Sequence, residues 1–215
     1  MSYIFILYMT KLFLDCGTNL GQGLKQFNTM YNMFNNKDWE IYTFEPNPHI
    51  ELSTMFHDVQ NLTKIPKAVW TEDTKLSFSC KGKKDKIERD KYNEERFQGG
   101  GSQLTSTNHQ KDIPTHIEID NVFVDAIDFS KFLLENHGKY EQIYAKFDIE
   151  GAEFQLVDKL IQDDTLKYIH TLYMEPHGRF FFQQSEWSLR KTEIDNIENE
   201  LLNKCKQHTN VKFWS

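Results

Sequence analysis

The sequence holds little that a secreted, membrane-spanning or nucleic-acid-coating protein needs. Its three cysteines, Cys16, Cys80 and Cys205, are odd in number and show no C-x-x-C spacing, so neither a disulfide framework nor a zinc site is indicated. A reducing, cytoplasmic setting suits them. No apolar run reaches the roughly 20 residues that cross a bilayer, and the apolar residues 3–9 lack the basic leader of a signal peptide. That start is expected to pack at a sheet edge, or to lie outside the working protein if Met9 is its first residue. Positive charge is also in deficit. A formal net charge of -7 gives no field to steer the chain toward a phosphate backbone, so nucleic acid is not the expected partner. No internal repeat is visible. What is present is a chain of 215 residues, enough for one α/β domain with a sizeable core and marginal for two.

The chain is organised around residues 11–23, KLFLDCGTNLGQG. Leu12, Phe13 and Leu14 form a short apolar run bounded by turn residues, as a buried parallel strand does, and residues 24–34 have helical apolar spacing. Between them, Gly17 and Gly21 can take backbone angles closed to other residues and let a ligand lie against the main chain. Asp15 closes the strand and should point into the crevice where open α/β sheets bind ligands. The dinucleotide fingerprint fails here: reading G-x-G-x-x-G from Gly21 and Gly23 lands on Gln26, and a carboxylate under a pyrophosphate is repelled. An acid in this place suits a ligand with a cationic end, such as the amino group and sulfonium of S-adenosylmethionine.

Asp15-x-Gly17-x-Asn19-x-Gly21 resembles motif I of class I methyltransferases, and in its D-x-G-x-N-x-G form it is similar to the FkbM-type family. Residues 44–48, FEPNP, resemble that family's F-E-P-x-P, and residues 67–69, KAV, its N/K-x-A-V segment beside the adenine. Residues 121–133 resemble V-x-V-x-x-[IL]-D-x-F-L, a match that concerns packing. The most specific match is DIEGAE at residues 148–153, following Lys146 where the family commonly has K-x-D. Glu175-x-His177 resembles the E-x-H after strand five. The resemblance implies a Rossmann-like class I methyltransferase fold in a single domain, with a mostly parallel central sheet and helices on both faces. It also implies S-adenosyl-L-methionine as cofactor and O-methylation of a sugar or other small hydroxylated metabolite.

The residues themselves give the site a layout. Residues 40–44 alternate as a strand, and Glu45 follows Asp15 by about thirty residues, one strand-helix-strand unit. An acid there can accept hydrogen bonds from both ribose hydroxyls. Residues 47–59 are expected to be helical, and residues 62–69 to form a third strand interrupted by Pro66; the resemblance implies that the backbone of Ala68 and Val69 lies at the base edge. Trp70 offers apolar surface there or is a core residue. Residues 79–114, rich in lysine, acids and Gly99-Gly100-Gly101, read as a polar, mobile insertion, which by the resemblance would precede the acceptor pocket or cover it as a lid. Residues 143–149 and 170–174 are the next strands, residues 154–161 and 185–206 helices, and residues 211–214 a last strand. One strand where class I methyltransferases usually have an antiparallel pair leaves a sheet edge that a second copy of the chain could cover.

Asp15, Glu45, Asp148 and Glu175 thus each close a predicted strand, and a doubly wound sheet brings such ends to one rim. Gathered there empty, four carboxylates repel one another. A sulfonium ligand would relieve that repulsion, and so would a divalent metal. The expected division is Asp15, Gly17, Asn19 and Gly21 for the methionine portion, Glu45 for the ribose, and Asp148, Glu175 and His177 for the acceptor and its proton. One of Asp148 and Glu150 is expected to face the methyl donor, while Glu153 reads as a first-turn acid favoured by the helix dipole. The competing classes are a nucleic-acid 2'-O-methyltransferase, an NAD(P)-dependent oxidoreductase on a similar sheet, and a non-catalytic binding protein with a vestigial methyltransferase fold.

Overall fold

A computed structural model of the chain describes residues 10–50, 56–83 and 117–214. Its elements run β1 (Lys11–Cys16), α1 (Gln22–Tyr31), β2 (Trp39–Phe44), β3 (Leu62–Ile65), β4 (Ala68–Trp70), β5 (Thr74–Lys83), β6 (Ile117–Asp128), α2 (Phe129–Asn136), β7 (Gln142–Phe147), α3 (Glu153–Gln162), β8 (Thr171–Met174), α4 (Lys191–Lys206) and β9 (Asn210–Phe213). Six of the strands form one sheet in the order β3-β2-β1-β7-β8-β9, with every neighbouring pair parallel. This is the Rossmann-like order, reversing between β1 and β7.

Strand side chains alternate between the two faces, and the two main clusters follow that alternation. Leu12, Leu14 and Cys16 of β1 pack with Phe129 and Leu133 of α2, Leu156 and Leu160 of α3 and Leu201 of α4. Phe13, between them, packs instead with Leu24 and Phe27 of α1. Helices therefore cover both faces, as the buried parallel strands require. Asp128 opens α2 by accepting a hydrogen bond from the Lys131 N–H at 3.0 Å, an N-cap that lets β6 feed directly into the helix.

The expected third strand is two strands in two sheets. Pro66 has no N–H to give a ladder, and the Lys67 N–H bonds back to the Ile65 carbonyl at 2.8 Å, so the chain turns between β3 and β4. β4 then joins a separate sheet, β4-β6-β5, in which β5 and β6 are antiparallel. The polar stretch expected from residue 79 thus begins as strand: residues 79–83 extend β5 opposite the start of β6. The glycines 99–101 and the proposed lid fall within residues 84–116, outside the described residues, as does the centre of the helix expected over residues 47–59. The helix expected from residue 185 starts at Lys191, after two short 3-10 turns at Gly178–Phe181 and Gln184–Glu186. β9 takes the sheet edge, parallel to β8. Among the described residues no helix is long and apolar enough to cross a membrane.

Phe129 is the clearest test of this core, because its sealed ring meets Phe44, Phe132 and Phe147 with centroids 5.7–5.8 Å away. Phe129→Ala is expected to lower stability by about 3–5 kcal/mol, read from urea midpoints; a loss below about 1 kcal/mol would be that of a surface residue.

Candidate active site

The strand registers align Ile65, Phe44, Cys16, Phe147, Met174 and Phe213 in one row across the sheet. The residue after each strand end bonds back to that row. Glu45 N–H donates to the Ile65 carbonyl (3.2 Å), Gly17 to Phe44 (3.0 Å), Asp148 to Cys16 (3.2 Å), Glu175 to Phe147 (2.9 Å) and Trp214 to Met174 (3.0 Å). Glu45, Gly17, Asp148, Glu175 and Trp214 therefore stand along a single rim. It includes the β1–β7 boundary, where open α/β sheets bind ligands.

Asp15 lies opposite Lys146 in the β1–β7 register, and alternation turns both toward the face that α1 covers. Both are buried. Lys146 Nζ sits 3.2 Å from Asp15 Oδ1 and 3.2 Å from Asp148 Oδ2, and donates to the Gly17 carbonyl at 2.7 Å. Burial works against the lysine's charge, yet Asp15 and Asp148 outweigh it and raise its pKa. Burial raises the Asp15 carboxyl, with Lys146 pulling the other way. Trp214 closes this pocket, its ring centroid 4.9 Å from Nζ. A Cβ at Gly23 would come within 3.1 Å of that indole and 3.2 Å of Lys146 Cε, so a larger residue there would crowd the lysine and the tryptophan.

The turn after β1 is held tightly. Gly17 has φ +78°, and a Cβ on it would fall 1.8 Å from the Asp148 carbonyl oxygen, a place only glycine can fill. Gly21 also has a left-handed φ, and the Asn19 N–H donates to Glu45 Oε2 at 2.7 Å. Glu45 Oε1 accepts from the Asn47 N–H at 2.8 Å. Burial pushes the Glu45 carboxyl up to about 7 against those two backbone donors.

At the ends of β7 and β8 the sequence matches converge on one imidazole. His177 is buried, with Nδ1 2.9 Å from Glu153 Oε1 and Nε2 facing Glu150 at 3.6 Å and Asp148 and Glu175 at 3.8 Å. Burial alone would lower its pKa, but Glu153, Glu150 and Asp148 raise it to about 9, so the ring carries a proton at neutral pH. Burial and mutual repulsion raise Glu175, and burial raises Glu150, each partly offset by His177.

Two sequence readings change here. Asp148 and Glu150 both face His177, because Glu150 takes φ 56° and Gly151 φ 99°, a bend that returns the Glu150 side chain to the cleft. A non-glycine residue held so costs roughly 1–2 kcal/mol. Glu153 is more than a first-turn acid: it is fully buried, accepts from the Ile149 and Gly151 N–H groups at 2.8 Å each, and orients His177. Lys146 was legible only as a match. Its sign in the sequence is a lysine set inside the apolar strand IYAKF. Ala68 packs with Phe78, Val124 and Ala126, and Val69 sits in the main core with Cys16, Phe44 and Phe147.

A Rossmann-like sheet with a glycine turn and acids along its switch-point rim is the architecture of a class I methyltransferase. The Methyltransferase FkbM domain matches residues 15–208, and the chain belongs to that family. Nothing among curated proteins or solved structures matches it.

Glu45 gives a pH test. A carboxyl whose folded pKa lies above its unfolded value binds its proton more tightly when folded, so its contribution is full below about pH 4.5 and is lost as pH climbs through about 7. The stability of the unmutated chain relative to Glu45→Gln should therefore fall across that window, measured as urea midpoints at stepped pH; a flat difference would mean the carboxyl is not perturbed.

Proposed function

We propose that the chain is an S-adenosylmethionine-dependent methyltransferase that methylates an oxygen of a sugar or other small hydroxylated acceptor in the cytoplasm. The observation that carries this reading is the convergence of Asp15, Glu45, Asp148 and Glu175 beside a glycine turn at the switch point. The site suits the cofactor in three ways. Among the described residues, neither oxygen of Asp15 has a well-directed hydrogen-bond donor, although Lys146 is close. The turn from Gly17 to Gly21 follows Asp15 directly at the strand end, and Glu45 stands at the end of the neighbouring strand. Asp15, Gly17, Asn19 and Gly21 would hold the methionine portion, Glu45 the ribose, and Ala68 with Val69 the adenine.

The cofactor supplies a methyl group already activated on a sulfonium. The chain's own task is alignment, which can account for most of the barrier in such an in-line displacement. Asp148 is the proton acceptor for the acceptor hydroxyl, since His177 already holds a proton. Glu175 and His177 fix the hydroxyl, and Glu153 fixes the ring. The acidic rim disfavours anionic acceptors, which sets a neutral hydroxylated molecule ahead of nucleic acid.

Adenosylhomocysteine is expected to raise the melting temperature and NAD to leave it unchanged. The reverse pattern would indicate an oxidoreductase, and no shift with either a binding protein. Asp148→Asn should leave adenosylhomocysteine affinity within about twofold while cutting turnover by about 100-fold or more, measured by methyl transfer from labelled cofactor; unchanged turnover would remove Asp148 from the base role.

A further inference from the structure

We propose that Asp148, Glu175 and His177 form a binding site for one divalent cation of the magnesium or manganese kind. One ligand atom from each lies within 4.8 Å of the others, close to the roughly 4 Å that separates opposite ligands of an ion bound at about 2.1 Å. Converging acids alone would not make a site. The histidine adds the second observation.

His177 is 1% exposed, and its Nδ1 is engaged by the buried Glu153. Its Nε2 makes no hydrogen bond among the described residues and faces Asp148, Glu150 and Glu175 at 3.6–3.8 Å, beyond hydrogen-bond reach. A carboxylate on one ring nitrogen, with the other left aimed at oxygen donors, is how proteins orient a metal-ligating imidazole, and the ring proton is released to solvent as the ion takes Nε2. Glu153 is itself pinned by the Ile149 and Gly151 N–H groups, so the orientation is built into the turn. Asp148 divides its two oxygens, Oδ2 to Lys146 and Oδ1 toward His177, which leaves Oδ1 for the ion.

Two carboxylates with one imidazole, and no thiolate, favour a hard to borderline ion that binds through oxygen and nitrogen. Three protein ligands leave coordination positions open. An acceptor with two adjacent oxygens could fill them, placing one oxygen beside the methyl donor. This last assignment rests on the methyltransferase reading above; the ion site itself does not.

The test is a Mn2+ titration of the full chain without cofactor or acceptor, read from loss of the free-ion electron paramagnetic resonance signal, with Mg2+ as competitor. One saturable Mn2+ per chain is expected, weakened by about tenfold or more in Glu175→Gln and in His177→Ala. His177→Ala strands the buried Glu153, so Glu175→Gln, isosteric and at a partly exposed position, carries the decision, with its urea midpoint as the check on folding. No saturable binding by the unmutated chain, or equal affinity in Glu175→Gln, would overturn the site. Since no cofactor is present, that result is independent of the adenosylhomocysteine shift.

Discussion

One buried cation holds this site together. Lys146 neutralises Asp15 on its own face of the sheet and Asp148 just beyond the strand end, and it ties both to the Gly17 carbonyl. A lysine in the interior costs several kcal/mol to desolvate, and only close, multiple partners offset it. Here it has two carboxylates, a carbonyl and an indole face. Loss of the lysine would leave Asp15 and Asp148 facing each other uncompensated, so Lys146 couples the turn after β1 to the turn after β7.

The rim is a product of register. Parallel pairing puts Phe44, Cys16, Phe147, Met174 and Phe213 on one line, so the residue that follows each strand is presented at one height without any special loop. The loops add direction. Left-handed backbone at Gly17, Gly21, Glu150 and Gly151 bends each turn back over the sheet, and Glu153 clamps the last of these bends from inside. Strain at Glu150 is the sort that persists where surrounding bonds over-determine it.

Much of this was readable in the chain. The apolar runs at β1, β2, β7 and β8 announced themselves by length and by the turn residues behind them, and the acids at their ends followed. The Asp15–Lys146 pair was harder, because it depends on which strands are neighbours, and period-two spacing says nothing of partners. Glu153 is legible only in part for a similar reason: it is the first-turn acid its position implies, and a buried hydrogen-bonded role places the same acid at the same position. The β3–β4 break and the β5–β6 pairing were lost to composition, since charged residues on a two-stranded ribbon with one wet face look like loop.

Trp214 shields Lys146 from an edge strand, and edge strands fray before centres do. β9 keeps Asn210, Lys212 and Phe213 in solvent and is anchored to the cores through Val211 and the following Trp214. Its momentary detachment would hydrate the lysine and slacken the grip on Asp15 and Asp148 while the inner hydrophobic layers stayed intact. Heat would then silence the chemistry ahead of global melting, and the sheet's weakest margin, rather than its core, would set the working temperature range.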